Sequence, residues 1–160
     1  MIHLLLAAAL AVPLRAQAEH SAVEVLCAEG GHSTAKGVDE IRARLIAWVI
    51  DNRVYALSTT FGERRRRAAL ILDVLNAPHQ WSHRCAVAYD ALPAWLRRRA
   101  RQLVEAKLHW GSRPDWLTRS VLYVIAEAEA KRFGARWGNR CLVKIEWGLG
   151  FYENCTAGAK

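Results

Sequence analysis

Residues 37–54 read Gly-Val-Asp-Glu-Ile-Arg-Ala-Arg-Leu-Ile-Ala-Trp-Val-Ile-Asp-Asn-Arg-Val. Val38, Ile41, Leu45, Trp48 and Val49 recur at helical spacing, so the stretch predicts a helix from about Gly37–Asp39 to Val54 with one buried face. Its length marks it as the helix around which a core is built. Upstream, Ser21 followed three residues later by Glu24 is a capping box, which predicts a short helix through Val25 and Leu26 that Gly30 and Gly31 end. Glu29 then sits on its last turn. Downstream, Arg64 to Arg67 lead into Ala68–Leu75, a third helix that must stop before Pro78. His79 to His83 read as loop. Asp90 and Pro93 suit the start of a fourth helix burying Leu96, Ala100, Leu103 and Val104, with Arg97, Arg98 and Arg101 facing water.

The C-terminal part is patterned differently. Trp116–Phe133 reads mostly as helix: Ser120–Ile125 could be strand, but Ala126–Arg132 is strongly helix-forming and stops at Gly134. Cys141–Ile145 and Phe151-Tyr152 are β-type segments around a Gly148/Gly150 turn, a closing hairpin. The fold class expected is therefore α+β, mainly helical, with a small C-terminal β-hairpin.

The N-terminus predicts a destination. Ile2 to Leu14 is an apolar run containing Pro13, followed by Arg15 and the small-x-small triplet Ala16-Gln17-Ala18, the pattern of a cleaved secretory leader. The run falls short of the roughly 20 residues that span a bilayer. Residues 1–18 are thus expected to be a signal peptide and 19–160 one exported domain, periplasmic or in the cell wall, large enough for one core. Four cysteines in an oxidising compartment predict two disulfides. Three pairings are possible; the positions flanking one hairpin favour Cys141 with Cys155, which leaves Cys27 with Cys85. A formal charge of +8, of which the leader carries only Arg15, favours a polyanionic partner; outside the cytoplasm that means wall or lipid anions rather than nucleic acid.

Glu29 is the chemically interesting acid. A carboxylate at a helix C-terminus faces the negative end of the macrodipole, and Leu26, Cys27 and Ala28 predict apolar surroundings, so both effects disfavour ionisation. Such a group can donate a proton to a leaving oxygen. His79-x-x-x-His83 has the spacing of two zinc ligands on one helix face, with His32 and Glu29 as conceivable partners. However, Pro78 predicts loop there and no Glu adjoins the first His as a zinc-peptidase helix requires, so no metal or other cofactor is expected. The arginine runs 64–67 and 97–99 read chiefly as solvated helix faces, with an anion-binding surface as the alternative.

Several motifs in order carry a resemblance: Cys27-Ala28-Glu29, Gly37, Ile50-Asp51-Asn52-Arg53-Val54, Gln80-Trp81-Ser82, Leu122-Tyr123, and Val143-Lys144-Ile145 with Phe151-Tyr152. Over about residues 22 to 153 the chain resembles the spore-cortex-lytic (SleB-type) cell-wall hydrolase family. The resemblance implies a lysozyme-like domain that cleaves peptidoglycan glycan strands between N-acetylmuramic acid and N-acetylglucosamine. It puts Glu29 in the catalytic-acid position, with Gln80, Trp81, Tyr123 and Tyr152 at substrate-binding positions. Asn52 and Arg53 read as helix anchors instead. Ser33 stands where the family often has a second Glu, and Glu146 to Gly150 lacks the family's closing histidine. A single acid fits lytic transglycosylation, in which the sugar's own 6-hydroxyl attacks and no second carboxylate is needed. The alternative is a non-catalytic, basic envelope-binding protein that keeps the fold.

Overall fold

The computed structural model describes residues 2–30, 36–61, 67–78, 80–82, 85, 87–109 and 113–156, the side chains of 2–13, 36–39 and 59–61 excepted. The described elements run α1 (Ile2–Gly30), α2 (Lys36–Phe61), α3 (Arg67–Leu75), a 3-10 turn (Tyr89–Ala91), α4 (Ala94–Val104), β1 (Val121–Ala126), α5 (Glu127–Phe133), β2 (Arg136–Trp137), β3 (Arg140–Glu146) and β4 (Leu149–Asn154). The fold is α+β with its bulk helical.

The core helix is more deeply placed than its periodicity predicts. Every residue of α2 from Leu45 to Asn52 is buried, and Trp48 is 0% exposed. A helix apolar all round belongs in the middle of a core rather than on its edge, and α2 packs against α1, α3, α4 and β1. α4 follows its expected pattern: Pro93 caps it in extended conformation and Leu96, Ala100, Leu103 and Val104 are buried. α3 ends at Leu75, before Pro78.

Two expectations fail. The capping box does not start a helix, because α1 runs without interruption from Ile2 to Gly30 and Ser21 and Glu24 lie inside it. Ala18 and Ala22 are buried in the core along with Val23, Val25 and Leu26. The stretch 116–133 is not mostly helix: β1 takes Val121–Ala126 and only Glu127–Phe133 is helical. The β-branched and aromatic residues Val121, Tyr123, Val124 and Ile125 pair with β4, so tertiary pairing decides their state. In α5, Glu127 and Glu129 open the helix and Lys131 and Arg132 close it, complementing its dipole. Gly134 ends it at φ 67°.

The closing hairpin is real but forms part of a larger antiparallel sheet, ordered β1-β4-β3-β2. Trp147 and Gly148, with φ of 52° and 73°, join β3 to β4 through a two-residue turn of the kind that matches strand twist. β4 is buried along Leu149–Tyr152. Leu149 and Phe151 belong to the main core, while alternate residues face α5. A Cβ on Gly150 would stand 2.2 Å from that of Ala130.

Both disulfides join the expected partners, Cys27 with Cys85 and Cys141 with Cys155. Among the described residues no helix is long and apolar enough to cross a membrane.

Candidate functional site

The second half of α2 delivers three successive polar residues to three different tasks. Asp51, 4% exposed, accepts from Arg67 and from Arg119, the latter at 2.7 Å. Arg67 also donates to the Leu103 carbonyl at 2.8 Å, which ties α2, α3 and α4 together. Asn52, 0% exposed, donates from Nδ2 to the Thr118 and Val121 carbonyls at 2.7 and 2.9 Å. It anchors β1 to α2, as the sequence led us to expect.

Arg53 does something else. Its guanidinium lies 5.6 Å from the Trp81 ring centre and 5.9 Å from that of Tyr123. Arg140 stands over the same Tyr123 at 4.1 Å and over Trp137 at 4.2 Å. Cations and aromatic faces thus alternate from Trp81 through Arg53, Tyr123 and Arg140 to Trp137, each contact within cation–π range. With Gln80, Val124 and Ile125 these five residues line a cavity of about 110 Å³. A larger depression of about 420 Å³ shares Arg53 and Tyr123 and continues over Leu57, Leu70, Val74 and Leu122.

Irregular pairing helps to build this wall. The register of β1 on β4 shifts between Val121 and Tyr123, and Leu122 through Ile125 all border one depression or the other. Strict alternation would turn every second side chain away, and a bulge re-aims them. Trp81 is fixed by Nε1 donating to the Val74 carbonyl at 3.0 Å, and Tyr123 by its hydroxyl donating to Asn154 Oδ1 at 3.2 Å. Burial pushes the Arg53 guanidinium below the ordinary arginine value; the Arg140 charge acts in the same direction and Tyr123 against it.

Glu29 lies on the last turn of α1, half-buried. Its Oε1 accepts the backbone N–H of Ser82 at 2.5 Å, and Arg42 donates to its backbone carbonyl at 3.5 Å. The Cys27–Cys85 bridge fastens the same turn of α1 to the segment that follows Ser82. Glu29 is therefore one residue removed from Trp81 and the cavity wall, and it is not itself part of that cavity's lining. Of the other acids on α1 and α2, Glu24 pairs with His20 at 3.4 Å, and the Glu40 charge partly offsets the lowering that burial imposes on the Arg99 guanidinium. The side chain of Asp39 lies outside the described residues.

The structure gathers Gln80, Trp81 and Tyr123 and sets Glu29 beside them. Tyr152 is the exception and its assignment is corrected: it is 0% exposed, with its hydroxyl donating to the Gly134 and Ala130 carbonyls at 3.1 and 3.4 Å. The alternation of β4 turns it toward α5, where it packs edge-on against Trp137. Of the other wall residues, Arg53 reads from the sequence as a helix anchor, and the sequence does not single out Val124, Ile125, Trp137 and Arg140 as site residues. Trp137 and Arg140 are cross-strand partners around a Gly138-Asn139 turn, and that turn was the available signal.

The arginine runs are partly engaged in the fold: Arg67 with Asp51, and Arg97 with the Tyr89 and Leu92 carbonyls. Arg98 and Arg101 are exposed. Arg64 to Arg66, His32, Ser33, His79 and His83 lie outside the described residues. Among the described residues no three His, Cys, Asp or Glu side chains come together to hold a metal ion. No protein-family model, curated protein or solved structure matches this chain.

Proposed function

We propose that the protein is an exported enzyme that cleaves peptidoglycan glycan strands as a lytic transglycosylase, with Glu29 as its single acid and base. The observation that carries this reading is the Glu29–Ser82 contact. It holds a carboxyl group at a helix end beside the Gln80-Trp81-Ser82 segment, which also walls the aromatic cavity. The ordered motifs that resemble SleB-type cell-wall hydrolases support the same assignment, and the two disulfides suit a chain whose residues 1–18 serve as a leader for export.

The chemistry needs one carboxyl group. Oε1 accepts the Ser82 amide, which leaves the other oxygen as the one that would exchange a proton with substrate. Protonated Glu29 gives its proton to the glycosidic oxygen as the bond from C1 of N-acetylmuramic acid to that oxygen breaks. The 6-hydroxyl oxygen then bonds to C1, and its proton returns to Glu29, leaving a 1,6-anhydro end. Trp81 and Tyr123 border the cavity and offer sugar C–H groups the aromatic surface that the guanidiniums leave uncovered, while Gln80 offers an amide to a hydroxyl. Mass spectrometry of digested sacculi should find 1,6-anhydro termini; exclusively reducing termini would overturn the transglycosylase assignment.

A second reading has its own support in the paired guanidiniums of the cavity: a basic envelope-binding protein without turnover. Glu29→Gln separates the two. An enzyme loses clearing of peptidoglycan and keeps binding, whereas a binder has no clearing to lose.

A further inference from the structure

Arg53 and Arg140 share one aromatic ring, Tyr123, and border one small cavity. Among the described residues neither is paired with a carboxylate, and Arg140 Nε is buried without a hydrogen-bond partner. Elsewhere in the same molecule buried charge is neutralised, as with Asp51 between Arg67 and Arg119. Two like charges gathered in a partly dry wall with an unmet donor are costly unless an anion completes them. We infer that this cavity is a carboxylate-binding site, distinct in its chemistry from the proton-transferring Glu29.

Size and shape select the ligand. At about 110 Å³ the cavity is well below the roughly 300 Å³ at which pockets begin to enclose whole small molecules, so it receives a group and not a molecule. Guanidinium forks match the planar, two-oxygen carboxylate. Trp81 and Trp137 close the ends of the cation–aromatic row and border the cavity, so a short carbon stem entering it would lie against aromatic surface. The ligand class is accordingly a carboxylate on a short branch of a larger sugar or peptide, with the neighbouring depression of about 420 Å³ available to the body that bears it. This inference needs only the cavity. Loss of glycan cleavage by Glu29→Gln, or its absence altogether, leaves it standing.

The test is titration of the whole exported protein, followed by tryptophan fluorescence and calorimetry, with three probes. N-acetylmuramic acid carries a free lactyl carboxylate, N-acetylglucosamine carries none, and N-acetylmuramyl dipeptide has the lactyl carboxyl in an amide but a carboxylate on the peptide. N-acetylmuramic acid or the dipeptide should bind and N-acetylglucosamine should not; the tighter of the two binders identifies the source of the carboxylate. Arg53→Gln and Arg140→Gln, each checked for an unchanged melting temperature, should each weaken that binding by about tenfold or more. Equal binding of N-acetylglucosamine, binding of none of the three, or affinity indifferent to both substitutions would overturn the inference.

Discussion

Asp51 and Arg53 stand two residues apart on α2, and the molecule treats their charges in opposite ways. Asp51 is buried and neutralised twice over, by Arg67 from α3 and by Arg119 from the segment before β1. Arg53 is desolvated too, yet its neighbours are two aromatic rings and a second arginine. The first arrangement is what a fold requires of a buried ion: partners that compensate its lost hydration. The second offers no such compensation from within the described chain. The contrast separates a charge kept for architecture from one kept for a ligand, a distinction that exposure alone would miss.

Substitutions on the two sides of this contrast should behave differently. Asp51→Ala strips the partner from Arg67 and Arg119, and should cost about 3 kcal/mol in chemical denaturation, since an orphaned buried charge is penalised heavily. A loss below about 1 kcal/mol would dissolve the contrast. Gly150→Ala probes the scaffold behind the ligand side, because the added methyl collides with Ala130 and must push α5 away from β4. A loss of about 2 kcal/mol is expected from overpacking, readable as a lower melting temperature.

Smaller still is the contribution of Tyr152. Burial raises its phenol above the ordinary value of 10.0, so the folded state favours the neutral form. Its contribution to stability is complete below that ordinary value and fades as the pH rises through the folded-state value. Tyr152→Phe should flatten this alkaline limb of the stability profile and cost about 1 kcal/mol at neutral pH for its lost hydrogen bonds. At the bottom of the scale, Arg53→Met and Arg140→Met should each change stability by less than about 1 kcal/mol, in either direction, since no ion pair is broken. Destabilisation matching that of Asp51→Ala would make Arg53 architectural as well.

The sequence disclosed the helical frame where local rules suffice. Pro93 and the 96, 100, 103, 104 spacing define α4, and Pro78 bounds α3. It misled where a long-range partner decides the local state. Ser21 and Glu24 have the pattern of a helix start, but they lie inside α1, which begins at Ile2. Val121 to Ala126 precede the helix-forming α5, and only pairing with β4 makes them strand. The site divides in the same way. Trp81 and Tyr123 stood out by residue type and resemblance, and the Trp137–Arg140 pair was latent in the Gly138-Asn139 turn. That Arg53 joins them, and that Tyr152 turns inward, depends on a bulge and a strand register that no local pattern announces. The contact of Glu29 with Ser82 spans 53 positions and rests on how the chain between them is folded back and bridged to Cys85.

The most direct test of the functional account is to incubate purified sacculi with the protein and with its Glu29→Gln variant and analyse the released fragments by mass. The account predicts muropeptides with 1,6-anhydro ends from the unaltered protein, and at least a hundredfold fewer from the variant, the scale on which acid–base groups act. Equal release by both proteins would contradict it.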